Sequence, residues 1–295
     1  MIIEKINNSF LYYTDTQVIH TREYYNYIVG LLKNWLNSST EDINIIFGDY
    51  YFDFKNNNKT IKIDIQCEHT LVKEGGRSVN DIIYGNVKNS DGVYLVRIDK
   101  FNYLNSLDYI IEYSLPNVEN IRSCGKFQNF LSKVIYVPPI LYQLNFSGDK
   151  TKVITLFDSK SNFRRISTLT QMSKLGIDNT TVGDCFSNEC LLDLYNKTKI
   201  MVNVHQTDHH HTFEELRVLP ALLNGVIIVS EDVPLKEKIP YNQYIIWANY
   251  DDIPSKTKEV IDNYDFYYDK IFNDPKLLDI LNDMKYKNKN LFKSL

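Results

Sequence analysis

From residue 153 onward, short β-branched apolar runs alternate with longer amphipathic stretches, and this alternation limits the possible folds more than any other feature. VITLFD (153–158) predicts a strand, and RISTLTQMSKLG (165–176) a helix stopped by Gly176. CLLDLYNKT (190–198) predicts a helix and KIMVNVH (199–205) a strand. FEELRVLPALLNG (213–225) is a helix stopped by Gly225, a residue type suited to the left-handed backbone that ends helices. VIIVS (226–230) and YIIWA (244–248) are strands, and 251–264 is a helix. Parallel strands need crossovers of a dozen residues or so, and helices supply them. The pattern therefore predicts an α/β fold, a parallel sheet covered by helices.

The first half follows a looser version of the same plan. Residues 22–36 predict an amphipathic helix, and 43–47, 61–66, 93–98, 109–114 and 133–138 predict strands. Pro138-Pro139 and the polar run 145–152 interrupt it, which puts a domain boundary there. The 295 residues are thus expected to form an N-terminal α/β domain over 1–147, a C-terminal one over 148–264, and a helical tail over 265–295.

The net charge of −4 argues against a nucleic-acid binder, which would present a basic face. The opening MIIEKINNSFLYY lacks the basic start and apolar core of a signal peptide, and no run approaches a membrane span. Cys67, Cys124, Cys185 and Cys190 form no CxxC pair and read as reduced thiols of a cytoplasmic protein.

In open α/β sheets ligands bind beyond the carboxyl ends of the strands, so polar clusters there are the candidate sites. The first runs from Asp158 to Arg164-Arg165 at a predicted helix start. Two arginines there oppose the helix dipole, and a bound phosphate would reverse that penalty. A solvated basic pair is the alternative.

The second cluster runs from His205-Gln206 through Asp208, His209, His210, His211, Thr212, Phe213, Glu214 and Glu215 to Arg217. Thr212 and Glu215 have the spacing of a capping box, which gives Glu215 a structural explanation. His205 and His209 are four apart, but that spacing serves a metal on a helix, and His205 ends a strand. Hydrogen bonds to a sugar or phosphate suit these histidines better, and no metal is expected. The third cluster holds Glu68, His69, Gly75, Gly76 and Arg77 after the strand that carries Asp64. It reads as an acceptor loop with Glu68, His69 or Asp64 as base, or as an ordinary turn.

The segment NVHQTDHHHTFEELRVLPALLNGVIIVSED resembles the donor-binding core of glycosyltransferases built from two facing Rossmann-like domains, the GT-B type. Phe213, Glu214 or Glu215, Arg217, Gly225, Val226 and Glu231 match the pattern F-E-x-x-R…G-V-x-x-V-S-E. The likeness covers about residues 150–250, and the first half only in outline. It implies that Arg164, Arg165 and the following helix hold the diphosphate of a nucleotide-sugar, with a UDP-sugar as first choice. It further implies a carboxylate on the ribose and a glycan or other hydroxyl acceptor. Many retaining members carry two glutamates on the 213–225 helix, but Leu222 and Leu223 stand eight residues beyond Glu214 and Glu215, so stereochemistry is not assigned. A non-catalytic nucleotide- or carbohydrate-binding protein and a His-cluster metal hydrolase are the alternatives.

Overall fold

The computed structural model describes residues 1–14, 19–75, 82–89, 92–157 and 163–294. The fold is mixed α/β, and the chain forms two compact units. Met1–Pro139 with Met284–Leu295 make the first, and Ile140–Asp283 the second. No helix among the described residues is long and apolar enough to cross a membrane.

The first unit opens with an antiparallel hairpin, β1 (Ile2–Ile6) and β2 (Ser9–Tyr13). The sequence reading missed it. Its turn is marked only by Asn7, in the left-handed region at φ 54°, which asparagine tolerates. Helix α1 (Arg22–Ser38) follows, burying Tyr24, Tyr25, Ile28, Leu31, Leu32 and Trp35 along one helical face. Next come β3 (Ile43–Phe47) and β4 (Lys59–Gln66). No helix covers the connection between these two parallel strands. Aromatic rings serve instead, with Phe52 stacked on Tyr12 at 4.6 Å and Phe54 5.9 Å from Phe10.

A small antiparallel sheet, in the order β5-β7-β6, comprises β5 (Leu71–Lys73), β6 (Ile82–Asn89) and β7 (Gly92–Ile98). It is followed by α2 (Phe101–Leu104), β8 (Tyr109–Glu112), α3 (Leu115–Ser123), α4 (Gln128–Leu131) and β9 (Val134–Tyr136). The main sheet has the order β1-β2-β3-β4-β8-β9, parallel from β2 onward. Its strands step in one direction, with no reversal of winding.

The second unit contains β10 (Lys152–Thr155), α5 (Phe163–Lys174), β11 (Asn179–Thr181), α6 (Asn188–Lys197) and β12 (Thr198–Asn203). It continues with α7 (Glu215–Leu223), β13 (Ile227–Glu231), β14 (Ile246–Ala248), α8 (Ile253–Asp262) and α9 (Tyr264–Phe272). All strand pairs are parallel, in the order β11-β10-β12-β13-β14. Every residue of β13 is buried, as expected of a strand covered on both faces. Strand β11, three largely exposed residues at the sheet edge, carries too little apolar pattern to be read from sequence.

Helix α10 (Pro275–Asn290) begins in the second unit and ends in the first. There Asn288 donates to Tyr27 Oη and to the Pro138 carbonyl, and Phe292 stacks on Trp35 at 5.4 Å.

The cysteine expectation needs correction. Cys185 and Cys190 form a disulfide, with Cα atoms 5.7 Å apart, while Cys67 and Cys124 are free. The local turn brings the pair within bridging distance: Ser187 Oγ caps α6 by accepting from the Cys190 N–H at 3.2 Å.

Candidate functional site

Within the second unit, β10 lies between β11 and β12, so the chain winds outward from β10 in both directions. Such a reversal opens a crevice at the carboxyl ends of the two strands, because their connections leave to opposite sides. The connection after β10 leads to Arg164 and Arg165 in the first turn of α5. The one after β12 leads through His205 and Asp208 to α7. Two of the three clusters read from the sequence are thus brought together; residues 158–162 lie outside the described residues.

Arg164 is the hub. Its Nη2 donates to Glu231 Oε1 at 2.7 Å, and its Nη1 to Glu231 Oε2 and to the His205 carbonyl, both at 3.1 Å. Its guanidinium lies over the Tyr250 ring at 4.0 Å, while Tyr250 Oη donates to the Arg164 carbonyl. Burial works against the charge, but the bond to Glu231 outweighs it and holds the pKa above the usual arginine value. Asp208 Oδ1 touches Nε. It does not lie along the N–H, and Nε has no aligned acceptor among the described residues.

Arg165 is buried over the Phe157 ring and reaches the Val204 carbonyl at 3.4 Å and Glu214 at 3.9 Å. Arg217 pairs with Glu214 at 2.7 Å and donates to Asn203 Oδ1. Asn203 in turn donates to Ser230 Oγ on the adjacent strand.

His205 is 3% exposed, and its backbone N–H donates to Glu231 Oε2 at 3.0 Å. Burial pushes its pKa below the ordinary value, so the ring is neutral. Its Nε2 is buried with no hydrogen-bond partner among the described residues. The other histidines stitch their own loop: His210 Nδ1 meets Thr207 Oγ1, and His211 Nε2 meets the Asp208 carbonyl. Among the described residues no three His, Cys, Asp or Glu side chains converge in a way that could hold a metal ion.

The expected capping box does not form. Helix α7 starts at Glu215, with Glu214 in the cap position and no side-chain cap bond, so Thr212 is too far back to cap it. The Glu215 carboxylate is fully buried and accepts from Tyr241 Oη at 2.8 Å. Thr212 and Phe213 are also buried, Phe213 against Trp247. Gln206 is exposed. Of the acids proposed here, Glu214 and Glu231 meet the arginines and Glu215 belongs to the core.

Sequence reasoning assigned no role to Tyr250, Asn203 or Ser230. Ser230 ends a predicted strand and Asn203 lies two residues inside the end of another, which was a usable signal. Tyr250 had none, since it reaches Arg164 from 86 residues away. A cavity of about 470 Å³ opens nearby at the ends of β13 and β14, lined by Asp232, Lys236, Trp247, Asn249 and Lys256 among others.

In the first unit Asp64, Glu68 and His69 lie on β4 or just beyond it. Asp64 accepts from Tyr103 Oη at 2.8 Å, and burial raises its pKa from the ordinary aspartate value. Glu68 pairs with Arg97 at 2.9 Å, and His69 is half-buried. Gly75 sits in the turn after β5; Gly76 and Arg77 lie outside the described residues.

No family model matches the chain. An uncharacterised protein, R358, of Acanthamoeba polyphaga mimivirus is 27% identical over 218 residues, covering 67% of this chain and 70% of that protein.

Proposed function

We propose that the chain is a glycosyltransferase using a nucleotide-diphosphate sugar, a UDP-sugar first, and that the second unit holds the donor diphosphate at the β10/β12 crevice. One observation carries the reading. Two buried nitrogens at the crevice, Arg164 Nε and His205 Nε2, lack an aligned hydrogen-bond partner among the described residues, although Asp208 Oδ1 touches the first. Buried polar atoms are usually paired, and these two belong to residues joined by the Arg164 Nη1 bond to the His205 carbonyl, so they suit one ligand at the strand-end crevice. A phosphate suits the arginine, and a phosphate or sugar hydroxyl suits the imidazole.

During transfer the bond from the anomeric carbon to the diphosphate breaks. A bond to the acceptor oxygen forms, and the acceptor proton leaves to a base. Negative charge grows on the departing diphosphate. Arginines already fixed by Glu231 and Glu214 oppose that charge without reorganising. The reading implies the GT-B architecture, in which the first unit supplies the acceptor side, with Asp64, Glu68 and His69 as base candidates. Because guanidinium groups neutralise the leaving group, turnover should persist in excess chelator.

Thermal unfolding in the presence of UDP, GDP, CMP and dTDP tests the donor site. At least one should raise the midpoint, since a ligand of the folded state stabilises it. No rise with any of the four at millimolar concentration removes the reading. Hydrolysis of the matching nucleotide-sugar without acceptor then separates a transferase from a passive binder.

A further inference from the structure

Among the described residues, Arg164, Arg165 and Arg217 face Asp208, Glu214 and Glu231, three charges against three. A phosphate that reaches these arginines must displace a carboxylate already seated on one of them.

The three acids are not equally able to withdraw. The Glu231 side chain is 10% exposed and the Glu214 side chain 15%, and each also braces an arginine. The Asp208 side chain is 76% exposed and rides on the turn 207–211, which carries internal hydrogen bonds. Thr207 Oγ1 accepts from the N–H groups of His209 and His210. His211 Nε2 closes the turn on the Asp208 carbonyl. The Asp208 carboxylate supplies charge to Arg164 but no aligned hydrogen bond, so Nε keeps an unused donor. An acceptor placed along that N–H gains both charge and direction, and so displaces a partner that offers charge alone.

We propose that Asp208 is a displaceable counter-anion that occupies the phosphate position on Arg164 and sets the affinity of the crevice for the diphosphate. The inference rests on the donor reading above. Glu231 holds the guanidinium in place, and Asp208 shields its free edge until phosphate exchanges for it. The exchange is purely one of contacts, with no covalent step. An exposed carboxylate gives little when bound and is cheap to remove, which suits a placeholder.

The test is calorimetric titration of UDP and of inorganic pyrophosphate into the wild type, Asp208→Asn and Asp208→Ser at one ionic strength. Asp193→Asn serves as the charge control, since Asp193 is an exposed acid on α6 paired with Lys197. Both Asp208 variants should bind pyrophosphate about fivefold more tightly than the wild type, the scale of an exposed ion pair. Asp193→Asn should match the wild type, and thermal midpoints identify any variant that has not folded. Equal or weaker binding by the Asp208 variants, with the wild type still binding, overturns the placeholder and leaves the donor site standing. An equal gain in Asp193→Asn also overturns it, since net charge would then explain the effect. If no folded protein binds either ligand, the donor reading falls and this inference with it.

Discussion

His205 shows how one buried side chain couples the crevice to pH. Its folded-state pKa is depressed by burial, with Glu231 and Glu214 pulling the other way and His211 and Arg164 adding to the depression. The unfolded chain therefore takes up the proton first. The stability that the neutral ring contributes is complete above the ordinary histidine pKa, near 6.5, and is lost as pH falls through the folded value. His205→Asn keeps a polar group of similar reach and removes the titration. Between pH 7.5 and pH 5 the wild type should lose more thermal stability than His205→Asn. Parallel unfolding curves for the two proteins across that range would show that the ring is not titrating with folding. The same scale explains Arg164. With Glu231 on one edge and Tyr250 beneath, it is held in place before any ligand arrives.

Helix ends set the element scale. Helix α7 stops at Asn224, and Gly225 takes φ 68° so that the Val226 N–H can return to the Ala221 carbonyl at 3.2 Å. A Cβ at Gly225 would sit 3.0 Å from Phe146 Cα and 3.4 Å from Lys150 Cε. Lys150 is itself buried, donating to the carbonyls of Tyr195 and Asn224 and so serving the ends of α6 and α7 together. Gly225→Ala should therefore cost about 1–2 kcal/mol for the left-handed backbone alone, and more for the contact. Gly30 offers the contrast. It lies inside α1 with nothing within 4 Å of a built Cβ, so Gly30→Ala should stabilise by about 0.5–1 kcal/mol. Urea denaturation of both variants checks the pair, and the same sign of change in both would refute the argument. The Cys185–Cys190 bridge belongs to this scale too, pinning the turn between β11 and α6.

At the scale of the molecule, two compact units share one chain, and the donor reading puts the diphosphate wholly within the second. Ligand binding should then slow amide hydrogen exchange in β10, β12 and β13 and in the first turn of α5. In the first unit, β2 and β3 should exchange as before, since a ligand stabilises the elements it contacts first. Protection appearing in β2 and β3 but not in β12 and β13 would move the site out of the second unit.

Most of the parallel sheet of the second unit was legible because its central strands are apolar and its helices are amphipathic and sharply bounded. Runs such as VIIVS and the helix ending at Gly225 state their period and their stop locally. The same runs put Arg164 and Arg165 in the helix that follows β10 and His205 just after β12, where the structure has them. Strands β1 and β11 were missed because short edge strands carry little burial pattern, while β2, interior and largely buried, spans only five residues. Local sequence named the charged residues but could not pair them. Arg164 meets Glu231 across 67 residues and Tyr250 across 86. Glu215 sits beside Glu214 in the chain, yet one faces Tyr241 in the core and the other Arg217. Periodicity is a property of neighbouring residues, and the sequence expresses it directly. Which carboxylate meets which arginine depends on strand order and helix phase, and only the packed chain decides those.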